Sequence, residues 1–173
     1  MLTKEKQLLN VVESLSSVVL AFSGGVDSSL VAKAASKALP KDKVLLVTAD
    51  SQSLGAGELE ECERLSSEWN LNWTSVQTNE FENSQYLANQ SDRCWWCKSA
   101  LMDELEPIAN RRGACVVLGV NQDDLGDHRP GQEAAKSRGA RFPLVEAGLT
   151  KDDVRKLAQK WDLSVWDRPS MPC

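Results

Sequence analysis

Three stretches of this sequence bring reactive or charged side chains together at spacings that chemistry uses. The first is Ser23-Gly24-Gly25-Val26-Asp27-Ser28-Ser29. Its adjacent glycines tolerate positive φ and let a ligand approach the backbone closely. A helix starting just after them would turn free N–H groups and its positive dipole end toward the same hollow, which suits phosphate or pyrophosphate. No Gly-Lys-Ser/Thr follows, so this is not the common P-loop with its phosphate-reaching lysine. Asp27 is a carboxylate where phosphates are expected. Mg2+ bridging Asp27 and a triphosphate would relieve the repulsion, and capping of the helix is a second role open to the same side chain.

The second stretch is Arg93-Cys94-Trp95-Trp96-Cys97-Lys98. A Cys-x-x-Cys at the start of a helix serves as a redox pair, as half of a zinc site, or as two thiols set by packing. Zinc would need a second Cys or His pair, and His128 is the only histidine. Arg93 and Lys98 flank the pair and favour a nearby anion or a lowered thiol pKa. The third stretch is Asn121 to Arg129, where Asp123, Asp124 and Asp127 accompany Asn121, His128 and Arg129 directly after an apolar run. That exceeds what a turn needs: the carboxylates suit a metal, and Arg129 suits a substrate phosphate or carboxylate. The sequence closes on Asp167-Arg168-Pro169-Ser170-Met171-Pro172-Cys173, where two prolines enforce an extended backbone and hold Cys173 away from helix and sheet.

The elements that must position these groups follow from apolar patterning. Runs at Val18–Phe22, Val44–Thr48, Trp73–Val76 and Ala114–Val120 read as strands, and Arg141–Val145 as a short fifth. Helical periodicity covers residues 3–15, 27–37, 57–69, the segment after 91 with Leu101, Met102, Leu105 and Ile108, and 154–161 behind a capping-box pattern at Thr150–Asp153. Strands alternating with helices predict an α/β fold with a five-stranded, doubly wound parallel sheet and helices on both faces. In such sheets ligands bind at the carboxyl ends of strands, which makes Asp50 and Ser51 candidates for a nucleotide's ribose or base. Cys62, on an apolar helical stripe with Leu59, Leu65 and Trp69, reads as packing.

Composition bounds the rest. A chain of 173 residues fits one domain. A net charge of −5 disfavours nucleic-acid binding through bulk charge. The N-terminus lacks the apolar core of a signal peptide and no run is long enough to span a membrane, so a cytoplasmic protein is expected, with its five cysteines reduced.

Several separated strings agree on one family. Ala-Phe-Ser-Gly-Gly-Val-Asp-Ser-Ser at 21–29, Val-Thr-Ala-Asp-Ser at 47–51, Asp-Arg-Cys-x-x-Cys-Lys at 92–98, Gly-x-Asn-x-Asp-Asp-Leu-Gly-Asp-x-Arg-Pro-Gly at 119–131, Glu-Ala-Gly-Leu-Thr-Lys at 146–151 and the closing Pro-Cys resemble LarE. This is the ATP-dependent sacrificial sulfur transferase family of the PP-loop ATP pyrophosphatase superfamily, whose domain has the adenine nucleotide α-hydrolase-like fold. The resemblance implies that ATP is bound at Ala21, Phe22, Ser23, Gly24, Gly25, Val26, Asp27, Ser28, Ser29, Thr48, Asp50, Ser51 and Gly119, with Mg2+ at Asp27. It implies substrate contacts from Arg93, Asn121, Asp124 and Arg129, with Arg168 a further cation available to the site. Adenylation of a carboxylate of pyridinium biscarboxylate mononucleotide would release pyrophosphate. Cys173 would then displace AMP, and cleavage of its Cβ–S bond would leave a thiocarboxylate on the product and dehydroalanine on the protein. This chemistry belongs to nickel-pincer nucleotide biosynthesis, and Cys173 and Asp27 are the implied catalytic residues.

Family members continue past the Pro-Cys, so residues 1–173 are expected to form the PP-loop domain, ending where a smaller C-terminal domain begins. A homo-oligomer is expected, or a separate chain supplying that domain. Two other readings fit parts of the pattern: a nucleotide-binding module without transfer activity, and a PP-loop enzyme thiolating tRNA, for which no basic surface or RNA-binding module is evident.

Overall fold

A computed structural model describes residues 2–50, 55, 57–78, 93–126 and 135–169, the side chains of 2, 93–98, 125 and 126 excepted. The elements, in chain order, are α1 (Leu2–Leu15), β1 (Val18–Ala21), α2 (Val26–Ala38), β2 (Val44–Asp50), α3 (Glu58–Glu68), β3 (Asn72–Gln77), α4 (Arg93–Arg112), β4 (Cys115–Val117), α5 (Pro143–Glu146) and α6 (Lys151–Lys160). The described strands form one parallel sheet in the order β3-β2-β1-β4.

The strand residues sort by parity, as a sheet covered on both faces requires. Val18 and Leu20 of β1, Val44 and Leu46 of β2 and Val117 of β4 join one apolar cluster with α1, α2, α3 and α6. Val19, Val47 and Val116 point the other way, onto Leu101, Met102, Leu105 and Ala109 of α4. On α1 the buried Leu8, Val12 and Leu15 recur every three to four positions, the spacing of one helical face. At α6 the expected capping box is formed: Thr150 accepts from the Asp153 N–H and the Asp153 side chain accepts from the Thr150 N–H.

The strand order decides where a ligand fits. The chain steps from β1 to β2 to β3 in one direction and then returns to the far side of β1 with β4. The carboxyl ends of β1 and β4 therefore flank a topological switch point, where the outgoing connections diverge and leave a crevice.

The expected fifth strand at Arg141–Val145 does not form. Arg141 makes a single parallel bridge to Val117, donating its N–H to Val116 O at 2.9 Å and accepting from Leu118 N at 3.0 Å. Pro143 then has no N–H to continue the ladder, and its fixed φ suits the first position of α5 instead. Apolar content alone did not separate a short buried strand from a short buried helix here. Among the described residues, no helix is long and apolar enough to cross a membrane.

Candidate active site at the switch point

β1 ends at Ala21, and one more ladder bond, from Phe22 N to Val47 O at 2.9 Å, carries the chain to the rim of the sheet. Gly24 then takes φ +80°, where L side chains are strained. Gly25 occupies the N-cap of α2 with no side-chain cap. The hollow of this turn is polar. Ser28 Oγ accepts from Ser23 N at 3.2 Å and lies 3.2 Å from Ser23 Oγ, and the Gly25 N–H points to Ser23 Oγ at 3.4 Å. The Ser29 hydroxyl, wholly buried on α2, finds no hydrogen-bond partner among the described residues.

Asp27 does not cap the helix. Its carboxylate accepts from Asn121 Nδ2 at 3.0 Å on one oxygen and from the Lys151 ammonium at 2.7 Å on the other. Asn121, 2% exposed, reaches across the switch point from the segment after β4. It is fixed by its own turn: its Oδ1 accepts from Asp123 N at 2.9 Å and Asp124 N at 3.3 Å, while its N–H donates to Asp124 Oδ2 at 3.0 Å. Lys151 is the first residue of α6, and its N–H donates to Asp123 Oδ2 at 2.9 Å. Three connections distant in sequence thus meet at one carboxylate, and Lys151 and Asp27 stay 20% and 22% exposed, within reach of a ligand.

Gly119 serves this meeting sterically. A Cβ there would lie 2.7 Å from Ser28 N and 2.9 Å from the Asp27 carbonyl carbon, so only glycine lets the end of β4 abut the first turn of α2. Thr48 is 1% exposed, and its hydroxyl is spent internally, donating to Phe22 O at 2.8 Å and accepting from Trp73 Nε1 at 2.9 Å. Asp50 stands at the carboxyl end of β2, where it accepts from Gln77 Nε2 at 2.9 Å. Cys62 is buried beneath the loop with its thiol pKa pushed up by burial, in line with its packing assignment. Of the other expected site residues, Arg93 is described only by its backbone place at the start of α4, and Ser51, Arg129 and Cys173 lie outside the described residues, as do the side chains of Cys94 and Cys97.

The residue to which sequence patterning gave no site role is Lys151, which stood there only within the capping-box pattern at Thr150–Asp153 and the string at 146–151. One local signal was present. A lysine at the first position of a helix opposes the macrodipole, and the geometry shows what offsets that cost: Asp27 and Asp123. Arg168 also reaches the loop, donating to Gly24 O at 2.8 Å and to Glu61 Oε1 at 2.9 Å.

Residues 4–94 match the NAD synthase family. An uncharacterized protein of Synechocystis sp. is 44% identical over 99% of this chain, which spans 64% of that protein. Pyridinium-3,5-bisthiocarboxylic acid mononucleotide synthase of Lactiplantibacillus plantarum is 34% identical over 96% of this chain, which spans 60% of its length. In three dimensions, NMN synthetase from Francisella tularensis superposes with a TM-score of 0.77 at 18% identity, covering 96% of this chain and 74% of its own. It shares the fold. The match to residues 4–94 takes in more than half of the sequence and the whole Ser23–Ser29 loop, so the chain belongs to the NAD synthase family of PP-loop proteins, and the LarE resemblance read from its motifs stands in the L. plantarum synthase.

Proposed function

We propose that the chain binds ATP with Mg2+ across the switch point and adenylates a carboxylate of pyridinium biscarboxylate mononucleotide, the activating step of sulfur insertion in nickel-pincer cofactor biosynthesis. The observation that carries this reading is the cluster at Asp27. A polar loop lined by Ser23, Gly25 and Ser28 at the start of α2 adjoins a carboxylate held by Asn121 and Lys151. Similarity to a synthase named for a bisthiocarboxylic acid mononucleotide supports the choice of acceptor.

The donor set fits Mg2+ delivered with a nucleotide. Mg2+ is commonly held by one or two carboxylates plus substrate phosphates, and Asp27 supplies one carboxylate. Bound there, Mg2+ would neutralise phosphate charge and improve pyrophosphate as a leaving group.

The chain's own groups do the remaining work. The Gly25 N–H and the Ser23 and Ser28 hydroxyls receive phosphate oxygens at the positive end of α2. Lys151 would be placed to offset charge on the departing pyrophosphate when Asp27 holds Mg2+. Asn121 orients the Asp27 carboxylate. A substrate carboxylate oxygen attacks the α-phosphorus as the bond to pyrophosphate breaks. The Cys173 thiolate then attacks the acyl carbon and AMP leaves. Loss of the cysteine α-proton with Cβ–S cleavage yields thiocarboxylate and dehydroalanine, so each chain reacts once.

The test is intact mass and pyrophosphate release after incubation with ATP, Mg2+ and the biscarboxylate mononucleotide. Pyrophosphate with a loss of about 34 Da, the mass of hydrogen sulfide, is expected. Pyrophosphate at unchanged mass would remove the transfer step, and absence of ATP binding would remove the whole reading.

A further inference from the structure

The peptide joining Gly24 to Gly25 has two orientations open to it. A flip would rotate ψ of Gly24 and φ of Gly25 by about half a turn, and a glycine at either side accepts the result without a Cβ clash. At Gly25, φ −74° would become positive, a conformation other residues resist. The two orientations are opposite in their effect on an anion. Across a trans peptide the C=O and N–H point in opposite directions. With the carbonyl turned outward, the Gly25 N–H faces the hollow beside Ser23 Oγ; with it turned inward, a carbonyl oxygen would face the phosphates.

One side chain holds the outward orientation among the described residues. Arg168 Nη1 donates to Gly24 O at 2.8 Å, and Nη2 donates to Glu61 Oε1 at 2.9 Å. Glu61 is itself clamped by Arg64, whose Nε and Nη2 donate at 2.9 and 2.7 Å. Arg64 foremost, and Arg168, hold the Glu61 carboxyl down to about 2, so the anchor is ionised at any working pH. The base of Arg168 is equally fixed. Leu163 and Val165 are buried in the core, Arg168 N donates to Val165 O at 3.0 Å, and Arg155 Nη1 donates to Trp166 O at 2.8 Å.

We infer that Arg168 is a positioning residue for nucleotide binding: by bonding the Gly24 carbonyl from outside the loop, it keeps the Gly24–Gly25 peptide turned so that the Gly25 N–H faces the phosphates. The inference rests on the proposed ATP site but acts through the backbone, without contact to the ligand. It also ties the loop to the segment that follows α6.

The experiment compares the full chain with Arg168→Ala and Arg168→Lys by titration with ATP·Mg2+ and by 15N relaxation dispersion at the Gly25 amide. In Arg168→Ala, ATP affinity falls by about tenfold, the worth of one charge-assisted hydrogen bond, and the Gly25 amide acquires exchange broadening absent from the parent. Arg168→Lys, which keeps a single donor, restores part of both. Loss of affinity without broadening, broadening without loss of affinity, or neither, overturns the inference. Should Arg168→Ala fail to fold, Glu61→Gln, which weakens the anchor and leaves the arginine in place, is read by the same two measurements. A parent chain that binds no ATP would instead fail the proposed function, and the amide of Gly25 would then decide the role of Arg168 alone.

Discussion

Two polar groups at the rim of the same sheet differ in how completely they are satisfied. At the end of β2, the Thr48 hydroxyl is buried, with both its donor and its acceptor roles taken by Phe22 O and Trp73 Nε1. Just past the end of β1, both Asp27 carboxylate oxygens are also bonded, one to the buried Asn121 amide and the other to the Lys151 ammonium, which water can reach. Opening the first arrangement would strand an indole N–H and a carbonyl in a packed interior. Opening the Lys151–Asp27 pair exposes an ammonium and a carboxylate that water, a metal or a phosphate can satisfy instead. The Thr48 hydroxyl is held by neutral groups inside the core, whereas Asp27 shares one oxygen with a charged partner at the crevice.

Substitutions can break or sharpen that contrast. The largest effect is expected from Asp27→Asn, which should slow Mg2+-dependent pyrophosphate release by about a hundredfold while leaving the thermal midpoint close to the parent's. A matching loss of stability would place Asp27 among the supports. Gly119→Ala should act on both, because its methyl group meets backbone atoms of Asp27 and Ser28 that cannot yield; unfolding in urea should show a loss of about 2 kcal/mol together with weakened ATP binding. Thr48→Val tests the other side. It should lower stability by about 1.5 kcal/mol through the unpaired Trp73 and Phe22 groups, with ATP affinity within about twofold of the parent; the reverse pattern would make Thr48 a ligand contact. For Lys151→Met, pyrophosphate release should drop by about tenfold with little change in melting, and an unchanged rate would reduce Lys151 to a helix-terminal ion pair.

The smallest effect at working pH concerns Glu61. Its carboxyl is lowered from 4.5 to about 2, with Arg64 the main cause, so its contribution is fully present above pH 4.5 and is lost as pH falls through about 2. Urea midpoints of the parent and Glu61→Gln should therefore differ by a constant amount from pH 5 to 8 and converge only in strong acid. The pair is partly exposed, so salt should shrink the difference.

Much of this was legible in the chain itself. The alternation of Val18, Val19 and Leu20 between two buried faces, the glycine pair after them, and the Thr150–Asp153 box are local patterns with local causes, and each appears where its spacing placed it. Arg141–Val145 was not legible, since five residues of apolar character carry no period long enough to distinguish strand from helix, and Pro143 tips the balance only once the ladder beside Val117 is in place.

Residue order alone therefore determined the strand-loop-helix unit at Val18–Ala38, the parallel α/β class and the family to which the chain belongs, because periodicity, turn chemistry and motif spacing act over a few residues. Only the tertiary structure decided that Lys151 and Asn121 share Asp27, that Arg168 bonds Gly24, and that the Thr48 hydroxyl donates to Phe22 O. Those pairings join residues 94, 124, 144 and 26 positions apart. They exist because the return of β4 to the far side of β1 brings three distant connections to one crevice, and no local pattern encodes that return.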